Sequence, residues 1–287
     1  MQEHLYDEEL LELAKQKNYP VIMHNALARA RFDLTAQEQK IVKFAVSKIT
    51  PFTPEPVGKK NGVEIEFDTK EYCELFDINT SGKNYADIFN SAKAVRDKSV
   101  WVNVDAATNK KATVAWFQHV TAEVGSGKIT VEFDYRLTPY LYKLNSEDGH
   151  QTIYTLLNIS GLKSKYSIRL FEYLTSFSSM VQPVWFSIDV LKYALEAENY
   201  YRFPDFKRYV LEVAVGEEIN AKNPKGNKGE INYKTDLQIK WQAKKHKSRS
   251  FNRIYFWIVK VNELDFSMED VVIVDPNQMT WEDIEVE

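Results

Sequence analysis

A single cysteine, Cys73, stands in 287 residues, so no disulfide forms within the chain and the sequence fits a reducing compartment. It lies in the short helical pattern "TKEYCELF" with no histidine near it in sequence, and reads as a small buried residue, not a nucleophile. Histidine is scarce too. The five are His4, His24, His119, His150 and His246, the closest two 20 residues apart. That spacing gives no metal-ligand cluster and lacks the paired histidines a rolling-circle nickase needs. No G-x-x-x-x-G-K-[ST] occurs, which excludes a P-loop for ATP. No window approaches 18 apolar residues, so no membrane span is expected. The start, "MQEHLYDEELLELAKQK", is acidic, without a basic region leading into an apolar core, and is not read as a signal peptide. The expected setting is the cytoplasm. No cofactor and no metal are expected, and the chain reads as a non-enzyme. The paired carboxylates Glu217-Glu218, beside Gly216, read as ordinary helix surface.

What is present is apolar surface and a skewed charge. Hydrophobic residues make up 44% of the chain and aromatics 13%, enough for a core, and the length suits roughly two domains of about 100–200 residues. The formal net charge of −4 hides its distribution. Residues 151–262 carry 18 Lys and Arg against 10 Asp and Glu, a net of +8, whereas residues 263–287 carry nine acids and no base. A basic segment of this kind points to an electrostatic partner. Its densest part is "WQAKKHKSRSFNRIYFW", from Trp241 to Trp257, where five Lys or Arg and one His sit between aromatics with no acid among them. Such a run is either a solvated face or a grip on a polyanion.

Periodicity gives an order of elements. Residues 1–22 read as an acidic amphipathic helix. "FDLTAQEQKIVKFAVSKI" carries a capping box, Thr35 with Glu38, ahead of Ile41, Phe44, Ala45 and Ile49 at helical spacing. "VEIEFD" alternates as a strand, "TKEYCELFDI" and "NYADIFNSAKAVRDK" read as helices, and "VWVNV", "KATVAWFQHVTAEV" and "ITVEFD" as three strands. The last two form a hairpin around Gly125-Ser126-Gly127. Helix, strand, helix, helix, strand, strand is the order of a winged helix. It then repeats: "SKYSIRLFEYLTSF" with Ile168, Phe171, Leu174 and Phe177 as its apolar face, "VWFSI", "SIDVLKYALE", "YYRFPDFKRYVLEVAVGEEIN", and the strands "INYKTDLQIKWQA" and "SRSFNRIYFWIV". The expected fold is therefore α+β, with two tandem winged-helix domains at 23–150 and 151–262 and an acidic tail at 263–287. The basic run becomes the wing of the second domain, with Lys244, Lys245, Lys247, Arg249 and Arg253 on it.

"SKYSIRLFEYL", "PDFKRYVLEVAVGEEIN" and the basic hairpin resemble the second DNA-binding domain of plasmid replication initiators, the Rep family that binds direct repeats (iterons) at a plasmid origin. "HNALARARFDLTAQEQKIV" and "VEFDYRLTPYLYKL" are similar to that family's first domain, and the likeness covers roughly residues 20–260. It implies that the third helix of the second domain enters the major groove and places this role on Arg202, Asp205, Lys207 and Arg208. Those residue types fit base edges: Arg and Lys donate to guanine, and Asp accepts from a cytosine amine, while Phe206, Val210 and Val213 are expected to face the core. On the first domain the matching helix carries Lys93 and Arg96, with Lys98 at its end. Two departures stand out. Relatives often carry a third base where this chain has Tyr209, and Gly-Arg on the wing where it has Ser248-Arg249.

The resemblance further implies double-stranded partners, iterons and an inverted-repeat operator, and a monomer–dimer balance in which dimers repress the protein's own gene. It also implies recruitment of the host replication initiator and replicative helicase, and control of plasmid copy number. A winged-helix transcriptional repressor without origin activity has the same residues. So does a protein-interaction scaffold whose basic face binds an acidic partner.

Overall fold

The computed structural model describes residues 19–50, 53–58, 60–105, 110–123, 125–142, 144, 150–220, 228–245 and 251–261. The expected N-terminal helix through residue 18, the hairpin tip with Lys247 and Arg249, most of "NPKGNKG" and the acidic tail lie outside the described residues.

In the first half, β1 (Pro20–His24) and α1 (Asn25–Ala28) precede α2 (Ala36–Ser47). The first turn of α2 is the predicted capping box: Glu38 N donates to Thr35 Oγ1 at 3.3 Å, and Thr35 N donates to Glu38 Oε2 at 2.7 Å. Next come β2 (Glu64–Asp68), α3 (Thr69–Leu75), α4 (Gly82–Arg96), β3 (Ser99–Asp105), β4 (Lys110–Ala115), β5 (Phe117–Ala122) and β6 (Lys128–Phe133). The segment "KATVAWFQHVTAEV", expected as one strand, is two. Trp116 turns wholly into the core, edge-on to Phe32 at 5.1 Å, and breaks the alternation there. β4 therefore pairs with β3 in a sheet of their own, while β5 joins β6 and β2 in the order β2-β6-β5.

A short link, α5 (Thr138–Leu141), leads to β7 (Gln151–Thr155) and α6 (Leu157–Ser160). The second half then runs α7 (Lys165–Thr175), β8 (Val184–Ser187), α8 (Ile188–Ala194), α9 (Phe203–Phe206), a π-helical turn Lys207–Leu211, α10 (Glu212–Ala214), α11 (Glu230–Lys234), β9 (Leu237–Lys244) and β10 (Arg253–Lys260). Its sheet order is β8-β10-β9. Both halves thus seat the strand that follows the leading helix against the last strand of the hairpin. The repeat foreseen in element order is a repeat in pairing topology as well.

Three expectations need correction in the second half. The third helix of the second half, made of α9, the π turn and α10, ends at Ala214, not Asn220. Gly216, at φ +111°, turns the chain out, and Gly229 comes so close that a Cβ there would meet Gly216 N at 2.5 Å. "INYK" is the short helix α11, not strand. Val213, placed in the core with Phe206 and Val210, is 39% exposed. The wider π turn delays the chain's return to the core face, so Leu211 and Ala214 are buried there instead.

The halves share one core. A contiguous cluster of buried apolar side chains runs from Val21 to Ile258, and β1 pairs antiparallel with β7, just ahead of α7. Helix α7 lies at this junction. Beyond its expected apolar face it also buries Arg169 and Glu172. Lys43 of α2 sits 2.6 Å from Glu172 Oε1, Tyr154 donates to the same oxygen at 3.1 Å, and Arg169 donates to the carbonyls of Ala28 and Ala30. Burial pushes the Lys43 ammonium below its usual range, against the pull of Glu172.

Candidate nucleic-acid interface

The second half gathers its bases where α9 meets the hairpin. Arg202 is the exposed N-cap residue of α9, Pro204 occupies its first turn, and Asp205 follows half-buried. Arg208 points outward, its guanidinium 5.4 Å from the ring of Tyr209. Phe206 and Val210 face the core, as expected.

Lys207 takes a different part. Its ammonium lies 2.7 Å from Glu218 Oε2, 3.9 Å from Glu212, and 5.5 Å from the ring of Trp241. The other oxygen of Glu218 accepts from Ala243 N at 2.7 Å. One carboxylate therefore fastens this helix to β9, helped by Trp241 Nε1 donating to Gly216 O at 2.8 Å. Glu218 was expected as plain helix surface. The stop signal that could have found it is Gly216, which ends the helix two residues earlier. A second fastening lies at the start of α9, where the Phe203 ring meets Phe251 at 5.5 Å.

The hairpin bases are seated on aromatics. Lys244 stands 5.6 Å from the Tyr255 ring, Lys245 5.4 Å from Phe251, and Arg253 3.8 Å above Trp185. Lys245 is exposed, Lys244 and Arg253 half-buried. The structure thus brings Arg202, Asp205 and Arg208 onto one helix and ties that helix to the strand pair bearing Lys244, Lys245 and Arg253. Such a surface offers donors to base edges from the helix and to phosphates from the hairpin.

In the first half, Lys93 and Arg96 lie exposed on α4, with Arg96 3.1 Å from Asp97. Lys98 is placed apart from them, 2.7 Å from the buried carboxylate of Glu38. There it pairs with the acid of the α2 capping box.

Residues 20–175 match the family model described as "Initiator Replication protein, WH1", and residues 187–258 match "Initiator Rep protein, WH2". Together with the repeated topology, these define a protein of two tandem winged-helix domains. The chain belongs to the family of initiator replication proteins. It is similar to a curated "Replication initiation protein" of Escherichia coli, 23% identical over 206 residues. The match takes in 70% of this chain and 62% of that protein's length. Among solved structures it resembles the Pi initiator protein, crystallised in complex with iteron DNA, with a TM-score of 0.65 at 19% identity over 86% of this chain and 99% of that one.

Proposed function

We propose that this protein initiates plasmid replication by binding direct repeats of double-stranded DNA at an origin through its two winged helices. The observation that carries the reading is the fastening of the reading helix to the hairpin through Lys207, Glu218 and Ala243. It holds base-reading and phosphate-gripping side chains in one fixed relation, which sequence-specific binding requires. Support comes from the family, from the name of the E. coli relative and from the iteron DNA in the Pi initiator complex.

In this reading the chain is not an enzyme. The second domain reads bases through Arg202, Asp205 and Arg208, with the wing on the flanking backbone, and the first domain grips a neighbouring groove through Lys93 and Arg96. Copies loaded on tandem repeats bend the DNA and strain an A·T-rich neighbour, which opens. Dimers on an inverted repeat repress the gene, the host initiator and helicase are recruited, and the setting is the cytoplasm. Hydroxyl-radical footprinting on the DNA flanking the gene tests the core of this. Protection of tandem repeats on one face, in windows about one helical turn apart, is expected. Protection of a single inverted repeat alone would favour the repressor reading, and none at all would favour the scaffold.

A further inference from the structure

Two arginines of "HNALARARFDL" reach across the domain boundary. The backbone of this stretch belongs to the first domain: Trp101 N donates to Arg31 O at 3.0 Å, and Phe32 bridges to Val100 of β3. The Arg31 side chain belongs to the second. Its Nε and Nη2 donate to the two oxygens of Glu196, the latter at 2.8 Å, and its Nη1 lies 2.6 Å from Glu198 Oε1. Its guanidinium also stacks over the Tyr193 ring at 4.0 Å. Arg29 makes a parallel crossing, donating to Ser176 Oγ and O at 2.9 and 2.6 Å and lying 3.8 Å over Phe177. A guanidinium fork on a carboxylate fixes direction as well as distance.

Glu196 and Glu198 open the connection from α8 to α9. Glu196 adopts φ +52°, a left-handed conformation unfavourable for a residue with a Cβ, so a partner that holds its carboxylate favours that turn. From there the hydrogen bonds run to the reading helix. Ala197 N donates to Lys192 O at 2.9 Å, Tyr200 N to Ala197 O at 3.1 Å, Lys192 Nζ to Tyr201 O at 3.2 Å, and Phe206 N to Arg202 O at 3.2 Å. The Tyr200 ring stacks on Tyr209 at 5.8 Å.

We propose that Arg31 of the first domain is a positioning residue for the reading helix. Through Glu196 and Glu198 it fixes the connection that presents Arg202 and Asp205, so base discrimination by the second domain depends on the first being docked. This rests on the DNA-binding reading above. Arg31 is not itself a phosphate contact, since two carboxylates already neutralise it.

The sign of one substitution separates the possibilities. Glu198→Gln, at a 43% exposed side chain, removes a negative charge from a protein that grips phosphates, and electrostatics alone would tighten its hold on any DNA. The strap makes the opposite demand. Affinity for the tandem repeats falls by roughly tenfold, while affinity for scrambled DNA is unchanged or rises. Arg31→Ala gives the same selective loss, and adding Glu196→Gln and Glu198→Gln to it costs nothing further, because the interaction is already gone. Without DNA, Arg31→Ala quickens hydrogen exchange at the amides of Ala197, Tyr200 and Phe206 and leaves β9 and β10 as they were. Tighter binding of Glu198→Gln to both DNAs, or unchanged exchange at those amides, would overturn the strap. A wild-type protein with no preference for the repeats, whose Arg31→Ala form still exchanges faster, would overturn the initiator reading and keep the mechanical tie.

Discussion

Charged side chains in this protein do two different jobs, and burial tells them apart. Arg208 is exposed on the third helix of the second half and Lys245 on the hairpin. Arg208→Ala should cost about 1–3 kcal/mol on the specific site and relax sequence preference. Lys245→Ala should weaken all sequences alike and lower the salt slope by roughly one. Matching behaviour in a salt titration of both variants would erase the distinction between reader and anchor. Lys43 and Glu172, by contrast, are wholly buried. Glu172→Gln strands an ammonium between Phe32 and Trp116, and should lower stability by about 3–5 kcal/mol in urea unfolding. Neither residue was legible as special. Both fall at helical spacings that also fit a solvated face, and they are buried where α2 and α7 meet. Lys207 was misleading in the same way. A lysine beside an arginine on such a helix invites a base contact, and its nearest carboxylate, Glu218, comes from beyond a turn the sequence pattern ran straight through.

At the level of elements, local signals were readable wherever local physics decides. The Thr35–Glu38 capping box and the glycine turn of the β5–β6 hairpin both stand as expected. Failures occur where a tertiary demand overrides the period. Trp116 leaves the strand to fill the core, and the π turn at Lys207–Leu211 shifts the buried face of the reading helix. The shift has a measurable consequence. Leu211→Ala should cost about 2–5 kcal/mol, and Val213→Ala should fall within about 0.5 kcal/mol of the parent. A regular α-helix would rank them the other way, so equal losses in urea unfolding would contradict the π turn.

For the whole molecule, topology follows from order: two winged helices were legible because the main period switches between helix and strand were. Their fusion into one core was not, because it depends on α7 packing on α2 and on the arginines of the 28–31 stretch crossing to the second half. Charge is also organised at this scale, with a net +8 segment followed by nine acids. Truncation after residue 262 should tighten non-specific DNA binding at low salt if those acids compete with phosphates for the hairpin, and unchanged affinity would end that idea. The proposed function stands on sequence-specific binding to duplex repeats. Fluorescence-anisotropy titration against the repeats flanking the gene and against scrambled DNA, at several salt concentrations, measures it directly. A preference for the repeats of about 10³-fold or more is predicted. Equal, steeply salt-dependent affinity for both DNAs would contradict it and reduce the second domain to a basic face.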